Sequence, residues 1–216
     1  MKESIKSKKL RISKIIEILK KEYPDSKCSL EFKNPFQLII STILSAQCTD
    51  ERVNKVTSEI YDIYKTPTDF SKLSLNKIKK MVYSTGFYNN KAKSIYGLTH
   101  EVLEKHNGKV PSNMEDLVKL PGVGRKTANV VLGTGFKIPG IVVDTHVTRL
   151  CNLLKLVKTK NAVIIERELE KIINVSDWIV FTHLIIDHGR KICIANRPKC
   201  DQCTISNYCP SSSGTH

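Results

Sequence analysis

The stretch LPGVGRKTANVVL, residues 120–132, joins a Pro-Gly-x-Gly turn to an apolar helix. The first backbone amides of a helix lack intrahelical acceptors, and the helix dipole gives that end a positive potential. A helix that begins in this way is suited to hold a phosphate group. The stretch therefore predicts a hairpin between helices that can hold a phosphate, through Leu120, Gly122, Val123, Gly124 and Arg125. A Pro-Gly turn by itself more often only joins two helices.

Apolar residues in the rest of the chain also recur at helical intervals. Over residues 50–64, intervals of three and four residues form one stripe from Val53, Val56, Ile60 and Ile63. Further apolar helical stretches lie at about 10–21, 124–134, 144–155, 161–173 and 176–188. Only short β-like runs interrupt them, so the sequence predicts an all-α fold.

Start and stop signals support these helices. Asn34 followed by Pro35 is typical of a helix N-cap with proline in the first turn. The pair at 107–108, Asn-Gly, predicts the end of a helix that begins near residue 89. Ser112 and Glu115 have the spacing of a capping box, which predicts another helix start before Leu117.

The composition indicates a globular protein with an anionic partner. The chain has 216 residues, of which 40% are hydrophobic, enough for a substantial core. Lysine and arginine outnumber aspartate and glutamate 35 to 21, which gives a net charge of +14 and makes nucleic acid the first partner to test. Neither a secretory signal nor an apolar span of about 18–20 residues is present in the sequence. We expect an intracellular protein without a membrane partner.

A cluster of cysteines lies in CIANRPKCDQCTISNYC, residues 193–209. Cys193, Cys200, Cys203 and Cys209 can close around one metal centre without help from the rest of the chain. Their spacing alone leaves both zinc and a cubane iron–sulfur cluster open. With all four positions filled by protein, either metal is expected to be structural. We expect the other three, Cys28, Cys48 and Cys151, to be buried apolar side chains.

Basic residues accompany the cysteine cluster. Arg190 precedes it, and Arg197 and Lys199 lie between its first two cysteines. A loop that a metal centre holds rigid and that carries such charges is suited to phosphate contact.

Lys126 and Asp144 are the two residues whose positions in the sequence suggest a catalytic role. Lys126 lies in the first turn after the second glycine of the hairpin, where a phosphate would bind. A lysine amine with a lowered pKa attacks carbonyl-like carbons and forms Schiff bases, although position alone leaves Lys126 one lysine among many. Asp144, in IVVDTHVTRLCNLL at 141–154, is placed to cap a helix, and a capping carboxylate remains ionised and can stabilise positive charge on a sugar.

Taken in order, these motifs resemble the endonuclease III branch of the helix-hairpin-helix DNA glycosylases. The resemblance covers nearly the whole chain. It rests on the hairpin stretch and the cysteine spacing together with ILSAQCTD at 43–50, GFYNNKA at 86–92, VDTHVTR at 143–149 and HGR at 188–190.

The resemblance implies a fold of two all-α domains. One is a six-helix barrel at 28–138 that contains the helix-hairpin-helix. The other joins 1–27 and 139–216 into an iron–sulfur domain, with a [4Fe-4S] cluster on the four clustered cysteines.

The resemblance also implies a reaction. Lys126 is the implied nucleophile and Asp144 the essential carboxylate: the amine attacks C1′, the base departs, and β-elimination cleaves the strand 3′ to the abasic site. Gln47 is implied to fill the gap left by a flipped nucleotide, and Phe87, where the family typically has leucine, to wedge the opposite strand. The implied substrate is double-stranded DNA with damaged pyrimidines or abasic sites, bound by a monomer.

Two other functions are compatible with parts of the pattern. A mismatch glycosylase for adenine or thymine would share the cysteine cluster, but such relatives typically lack the nucleophilic lysine, and the adenine enzymes carry an additional C-terminal domain. A DNA-binding module or redox sensor without enzymatic activity would need neither Lys126 nor Asp144. We therefore expect a DNA glycosylase and AP lyase.

Overall fold

The computed structural model of the protein describes residues 3–212, and within that range it is helical and contains no β-strand. The all-α prediction is confirmed. The α-helices of this range are α1 (Ile5–Glu22), α2 (Pro35–Leu44), α3 (Asp50–Ile63), α4 (Pro67–Ser71), α5 (Leu75–Val82), α6 (Tyr88–His106), α7 (Met114–Leu117), α8 (Arg125–Val130), α9 (Thr145–Leu153), α10 (Ala162–Glu170) and α11 (Trp178–Lys191). A π-helical turn, Val131–Gly135, continues α8.

Local capping signals explain where several helices begin and end. The Asn34 side chain accepts a hydrogen bond from the amide of Gln37 at the start of α2, as predicted. Asn107 ends α6 in the left-handed conformation, with φ of 52°. The predicted box of Ser112 with Glu115 is wrong by one residue: Asn113 is the N-cap of α7 and accepts from the amide of Asp116. Both asparagine and serine are strong N-caps, so composition did not distinguish them.

The chain folds into two compact units. The first unit comprises the described residues of Met1–Cys28 and Pro139–His216, and the second unit is Ser29–Ile138. In the second unit, α6 packs against α2, α4 and α5. Its core includes Leu38, Ile39, Ile78, Ile95 and Leu98, all at most 1% exposed.

The predicted stripe on α3 is correct only in part. Val53 and Ile60 are buried in the core of the second unit, whereas Ile63 is 69% exposed. The buried face of α3 is formed by Val53, Thr57, Ile60 and Tyr61. It is rotated away from the predicted stripe, so Val56 is only half-buried and Ile63 lies outside the face.

The first unit has its own core, in which α1 packs against α11, and α11 against α9. Ile12, Ile15, Phe181 and Ile185 are fully buried there. Three of the clustered cysteines, Cys193, Cys203 and Cys209, pack against this core. Across residues 3–212, no helix has the length and hydrophobicity needed to cross a membrane.

Candidate functional site

The hairpin turn of the second unit requires glycine at position 122. The amide of Val123 donates to the carbonyl of Leu120 at 3.0 Å, which closes the turn. Gly122 has φ of +77°, a region that residues with a Cβ rarely adopt. A Cβ at this position would also lie 2.5 Å from Cβ of Ser94 on α6. Gly122 therefore fixes both the turn and its contact with α6.

Gly124 is placed differently. It is exposed, has φ of −88°, and caps α8 without a side chain that could accept from the first amides of that helix. Apart from its two chain neighbours, no residue that the structure describes has an atom within 4 Å of a Cβ built here. The fold thus has room for a side chain at 124, and the absence of one leaves the helix start open to an anion.

The structure separates the predicted phosphate contacts of the hairpin into two groups. The side chains of Leu120 and Val123 are 2% and 5% exposed and belong to the core. Their side chains are therefore not accessible to a ligand, and these two residues could contact one only through the backbone. Arg125 is exposed in the first turn of α8.

Lys126 is exposed in the first turn of α8, two residues after Gly124. Its amine is accessible to a bound molecule. The amides of the same turn lie at the positive end of the helix, where a phosphate would be held. The following residue, Thr127, lines an open depression of about 260 Å³ in the surface of the second unit.

That depression brings together residues from three separate motifs. Gln47, Phe87 and Gly122 all contribute to its lining. Gln47 and Phe87 are exposed and adopt left-handed backbone conformations, with φ of 53° and 48°. Such conformations cost roughly 1–3 kcal/mol in residues other than glycine and are concentrated at binding sites. The geometry places two strained, exposed side chains beside the hairpin and Lys126.

Sequence reasoning missed Lys91, which lines the same depression. It is only 5% exposed, and its ammonium donates to the carbonyls of Leu44 and Thr85, both at 2.8 Å. Burial lowers the pKa of Lys91. The motif GFYNNKA contains this lysine, but nothing local indicates that it is buried.

In the first unit, Asp144 is the N-cap of α9. Its Oδ1 accepts a hydrogen bond from the amide of Val147 at 2.8 Å, as the sequence predicts. This contact fixes the orientation of the carboxylate through Oδ1. The side chain is half-buried.

The four clustered cysteines line one cavity of about 90 Å³ in the first unit, together with apolar residues of α9 and of the loop after α11. A water molecule needs roughly 10–15 Å³ in the same measure, so the cavity is several times larger than one water. Within residues 3–212, no three Cys, His, Asp or Glu side chains are grouped tightly enough to hold a single metal ion.

Side chains from α9 and α11 contact these cysteines. Arg149 donates to Sγ of Cys193 at 3.7 Å, and Nε2 of His188 lies 3.5 Å from Sγ of Cys203. The other ring nitrogen of His188 contacts the Tyr23 hydroxyl at 3.2 Å. Burial lowers the pKa of His188 and raises the pKa of Cys203 to about 11. A thiolate at Cys203 therefore requires compensating positive charge, such as a metal supplies.

Helix α1 also forms hydrogen bonds with the cysteine loop. Arg11 donates to the carbonyl of Tyr208 at 3.0 Å, immediately before Cys209. Thr204, immediately after Cys203, donates to the Glu22 carboxylate. These contacts are not visible in the sequence, because they join residues that are more than 180 positions apart.

The packing of α9 on α11 explains two further motif residues. A Cβ on Gly189 would lie 2.8 Å from Nδ1 of His146, so glycine is required for the close approach of the helices. Arg149 also donates to the carbonyl of Gly189 at 3.4 Å. Both pairs come from the motifs VDTHVTR and HGR.

The remaining predicted residues are distributed as follows. Arg190, Arg197 and Lys199 are all exposed, as phosphate contact requires. Cys151 is fully buried, which confirms the prediction for this residue. The same prediction is wrong for Cys28 and Cys48, which are only half-buried, because both lie in loops rather than on the inner face of a helix.

Comparison with known proteins agrees with this geometry. Residues 40–175 match the family profile described as HhH-GPD superfamily base excision DNA repair protein. An endonuclease III of Synechocystis sp. is 48% identical over 207 residues, which are 95% of this chain and 94% of that protein.

Two solved structures described as endonuclease III–DNA complexes, one non-covalent and one a trapped covalent intermediate with an estranged adenine, each superpose with a TM-score of 0.89 and 40% identity. In each case 94% of this chain and 96% of the other are covered.

The helical fold, the hairpin and the family match define a base excision DNA repair protein of the helix-hairpin-helix superfamily. Within that class, the chain belongs to the endonuclease III family. Its activity is that of the family, a DNA glycosylase combined with an AP lyase. The family predicted from the motifs is confirmed.

Proposed function

We propose that this enzyme releases oxidised pyrimidines from double-stranded DNA and cleaves the resulting abasic strand through a Schiff base on Lys126. The observation that carries the proposal is the position of Lys126. Its exposed amine stands in the first turn of α8, beside a depression that Gln47, Phe87 and Gly122 line. This position supports Lys126 as the nucleophile, because its neighbours are suited to hold a phosphate and a duplex with one nucleotide unstacked.

The proposed reaction begins with attack of the neutral Lys126 amine on C1′ of the damaged nucleotide. A bond forms between Nζ and C1′, and the glycosidic bond breaks with its electron pair going to the base, which leaves after protonation. Opening of the sugar ring at the C1′–O4′ bond yields a protonated Schiff base. Loss of a proton from C2′ then expels the 3′ phosphate, and hydrolysis returns the amine.

Asp144 is proposed to stabilise the positive charge that develops on the sugar as the base departs. Its hydrogen bond from Val147 keeps the carboxylate oriented for this task. The same bond makes Asp144 part of the fold, so substitutions must separate its capping role from its role in the reaction.

Base release from a duplex requires that the target nucleotide leaves the stack. We propose that the Gln47 side chain fills the gap that the flipped nucleotide leaves, and that the Phe87 ring inserts into the opposite strand. Phe87 is 64% exposed at the edge of the depression, where its ring can reach a bound duplex. Because the family typically has leucine at this position, the preference for the opposite base is expected to differ from that of leucine-containing relatives.

Binding to DNA is supported by the net charge of +14 and by exposed basic residues in both units. In the hairpin, Gly124 and Arg125 supply phosphate contacts, and Leu120, Gly122 and Val123 contribute only backbone or turn geometry. In the first unit, Arg190, Arg197 and Lys199 extend the contacts. We expect a monomer on the DNA.

A [4Fe-4S] cluster is proposed on Cys193, Cys200, Cys203 and Cys209. The four cysteines line one cavity together, as ligands of a shared centre must. The endonuclease III family match favours the cluster over a zinc ion at this site. When bound, the cluster supplies a covalent cross-link that holds the loop around Arg197 and Lys199.

A panel of duplexes tests the proposal, with base release and strand cleavage scored separately. The panel contains thymine glycol, dihydrouracil, mismatched uracil, mismatched thymine and an abasic site. We expect release and cleavage on the two oxidised pyrimidines, loss of both in Lys126→Ala, and retention of both in Lys93→Ala, an exposed lysine on α6 of the same unit. Preference for the mismatches would favour the mismatch glycosylase and contradict the proposed substrate.

A further inference from the structure

Lys91 is a buried cation, and within residues 3–212 no carboxylate forms an ion pair with it. Its two hydrogen bonds go to the carbonyls of Leu44 and Thr85. A buried ammonium costs the folded state free energy unless it is well paired. Two charge-assisted hydrogen bonds, one of them at the negative end of α2, offset that cost. The arrangement therefore ties Lys91 to two particular carbonyls.

These carbonyls belong to the two segments that carry the strained side chains. Leu44 is the last residue of α2, three residues before Gln47. Thr85 ends a short 3-10 turn, Tyr83–Thr85, two residues before Phe87. The ammonium of Lys91 thus joins both segments by hydrogen bonds.

We propose that Lys91 is a positioning residue that clamps the Gln47 segment to the Phe87 segment, so that both side chains enter the duplex as one rigid element. This inference rests on the proposed DNA contacts of Gln47 and Phe87. A rigid pair of segments loses less conformational freedom on binding than two independent loops, which favours the unstacked complex. The side chain of Lys91 lines the same depression as both residues, so the clamp lies directly beneath the bound DNA.

The clamp and the chemistry of Lys126 can be separated by the choice of DNA. An abasic site in a duplex must be opened before its C1′ is reached, whereas an abasic site in a single strand is already unstacked. Loss of the clamp should therefore slow reactions on duplex DNA and spare reactions on single strands.

The test compares Lys91→Met with Lys93→Met. Both variants remove one positive charge from α6, but Lys93 is exposed and outside the depression. Cleavage rates are measured on the same abasic oligonucleotide, single-stranded and annealed. We expect Lys91→Met to lose about tenfold or more on the duplex, as small misplacements of positioning groups do, and to stay within about threefold of Lys93→Met on the single strand.

A double-mutant cycle isolates the clamp from general folding effects. In a Gln47→Ala/Phe87→Ala background, Lys91→Met should cause little further loss on the duplex, because the side chains through which it acts are gone. 2-Aminopurine placed opposite the abasic site should brighten on binding the parent protein and brighten less with Lys91→Met, since unstacking is the step that the clamp supports.

Thermal unfolding of the variants is measured first. If Lys91→Met is unfolded at the assay temperature, Lys91→Gln takes its place. Its neutral amide keeps the site polar, but the side chain is one atom shorter and uncharged and does not reproduce both bonds of the ammonium, so the same pattern is expected. Three results would each overturn the clamp. They are equal rates for Lys91→Met and Lys93→Met on the duplex, equal losses by Lys91→Met on both forms of DNA, and additive effects in the double-mutant cycle. None of these results would affect the assignment of Lys126, which is tested separately by whether Lys126→Ala retains cleavage.

Discussion

Replacing each hairpin glycine by alanine should separate folding from DNA binding. At position 122 the added Cβ would lie 2.5 Å from Cβ and 2.7 Å from Oγ of Ser94, and the backbone φ is +77°. At position 124 the backbone is in the extended region, and beyond the two chain neighbours no atom of the described residues lies within 4 Å of an added Cβ. The two substitutions are chemically identical and sit two residues apart.

The expected changes in the free energy of unfolding differ in size. A left-handed conformation costs an alanine roughly 1–2 kcal/mol, and forcing a methyl group against packed atoms costs roughly 1–3 kcal/mol more. Gly122→Ala should therefore destabilise the protein by about 2–5 kcal/mol. At position 124 alanine is a weaker N-cap than glycine, which lowers the stability, but it also makes the unfolded chain less flexible, which raises the stability. The net change in the free energy of unfolding should therefore remain within about 1 kcal/mol.

The assay pairs urea denaturation with binding to an abasic-site duplex. Gly122→Ala should unfold at lower urea concentration, whereas Gly124→Ala should unfold near the parent midpoint and still bind more weakly, because its methyl group stands where a phosphate approaches. A Gly124→Ala variant with parent affinity would refute the phosphate site at α8. Equal destabilisation by both substitutions would refute the packing argument for Gly122.

Three further outcomes are expected. Asp144→Asn keeps a good N-cap and should retain stability while base release falls, whereas Asp144→Ala should also lose about 1 kcal/mol of stability; unchanged release rates in the asparagine variant would contradict the role of this carboxylate. The purified protein should contain iron and acid-labile sulfide in equal amounts, and a Cys203→Ala variant should lose both, while one equivalent of zinc would show that the cluster is absent. The logarithm of DNA affinity should fall linearly with the logarithm of salt concentration, and the slope should drop by about 2 when Arg197 and Lys199 are both replaced by alanine; an unchanged slope would remove these residues from the interface.

Local signals in the sequence predict much of the helical framework. Asn34 and Asp144 cap helix starts as predicted, because an asparagine or aspartate side chain accepts from backbone amides within three residues of itself. Asn107 ends α6 as predicted, because asparagine tolerates the left-handed conformation. The predicted capping box of Ser112 before α7 is wrong for a local reason as well. The next residue, Asn113, is an equally good N-cap, and its side chain accepts from the amide of Asp116.

Long-range features are not predictable in this way. Lys91 is buried because the carbonyl of Leu44, 47 positions away, is there to accept its hydrogen bond. The contact of Arg149 with Cys193 spans 44 positions. The left-handed conformations of Gln47 and Phe87 carry no glycine or asparagine signal. Each of these features arises from tertiary packing, and each lies at a proposed binding site.

The central claim, that Lys126 is the nucleophile, is tested most directly by borohydride reduction in the presence of an abasic duplex. Reduction should trap a covalent complex, and digestion followed by mass spectrometry should place the DNA remnant on Lys126, with no trapping in Lys126→Ala and full trapping in Lys93→Ala. A remnant on another residue, or trapping that survives Lys126→Ala, would contradict the account.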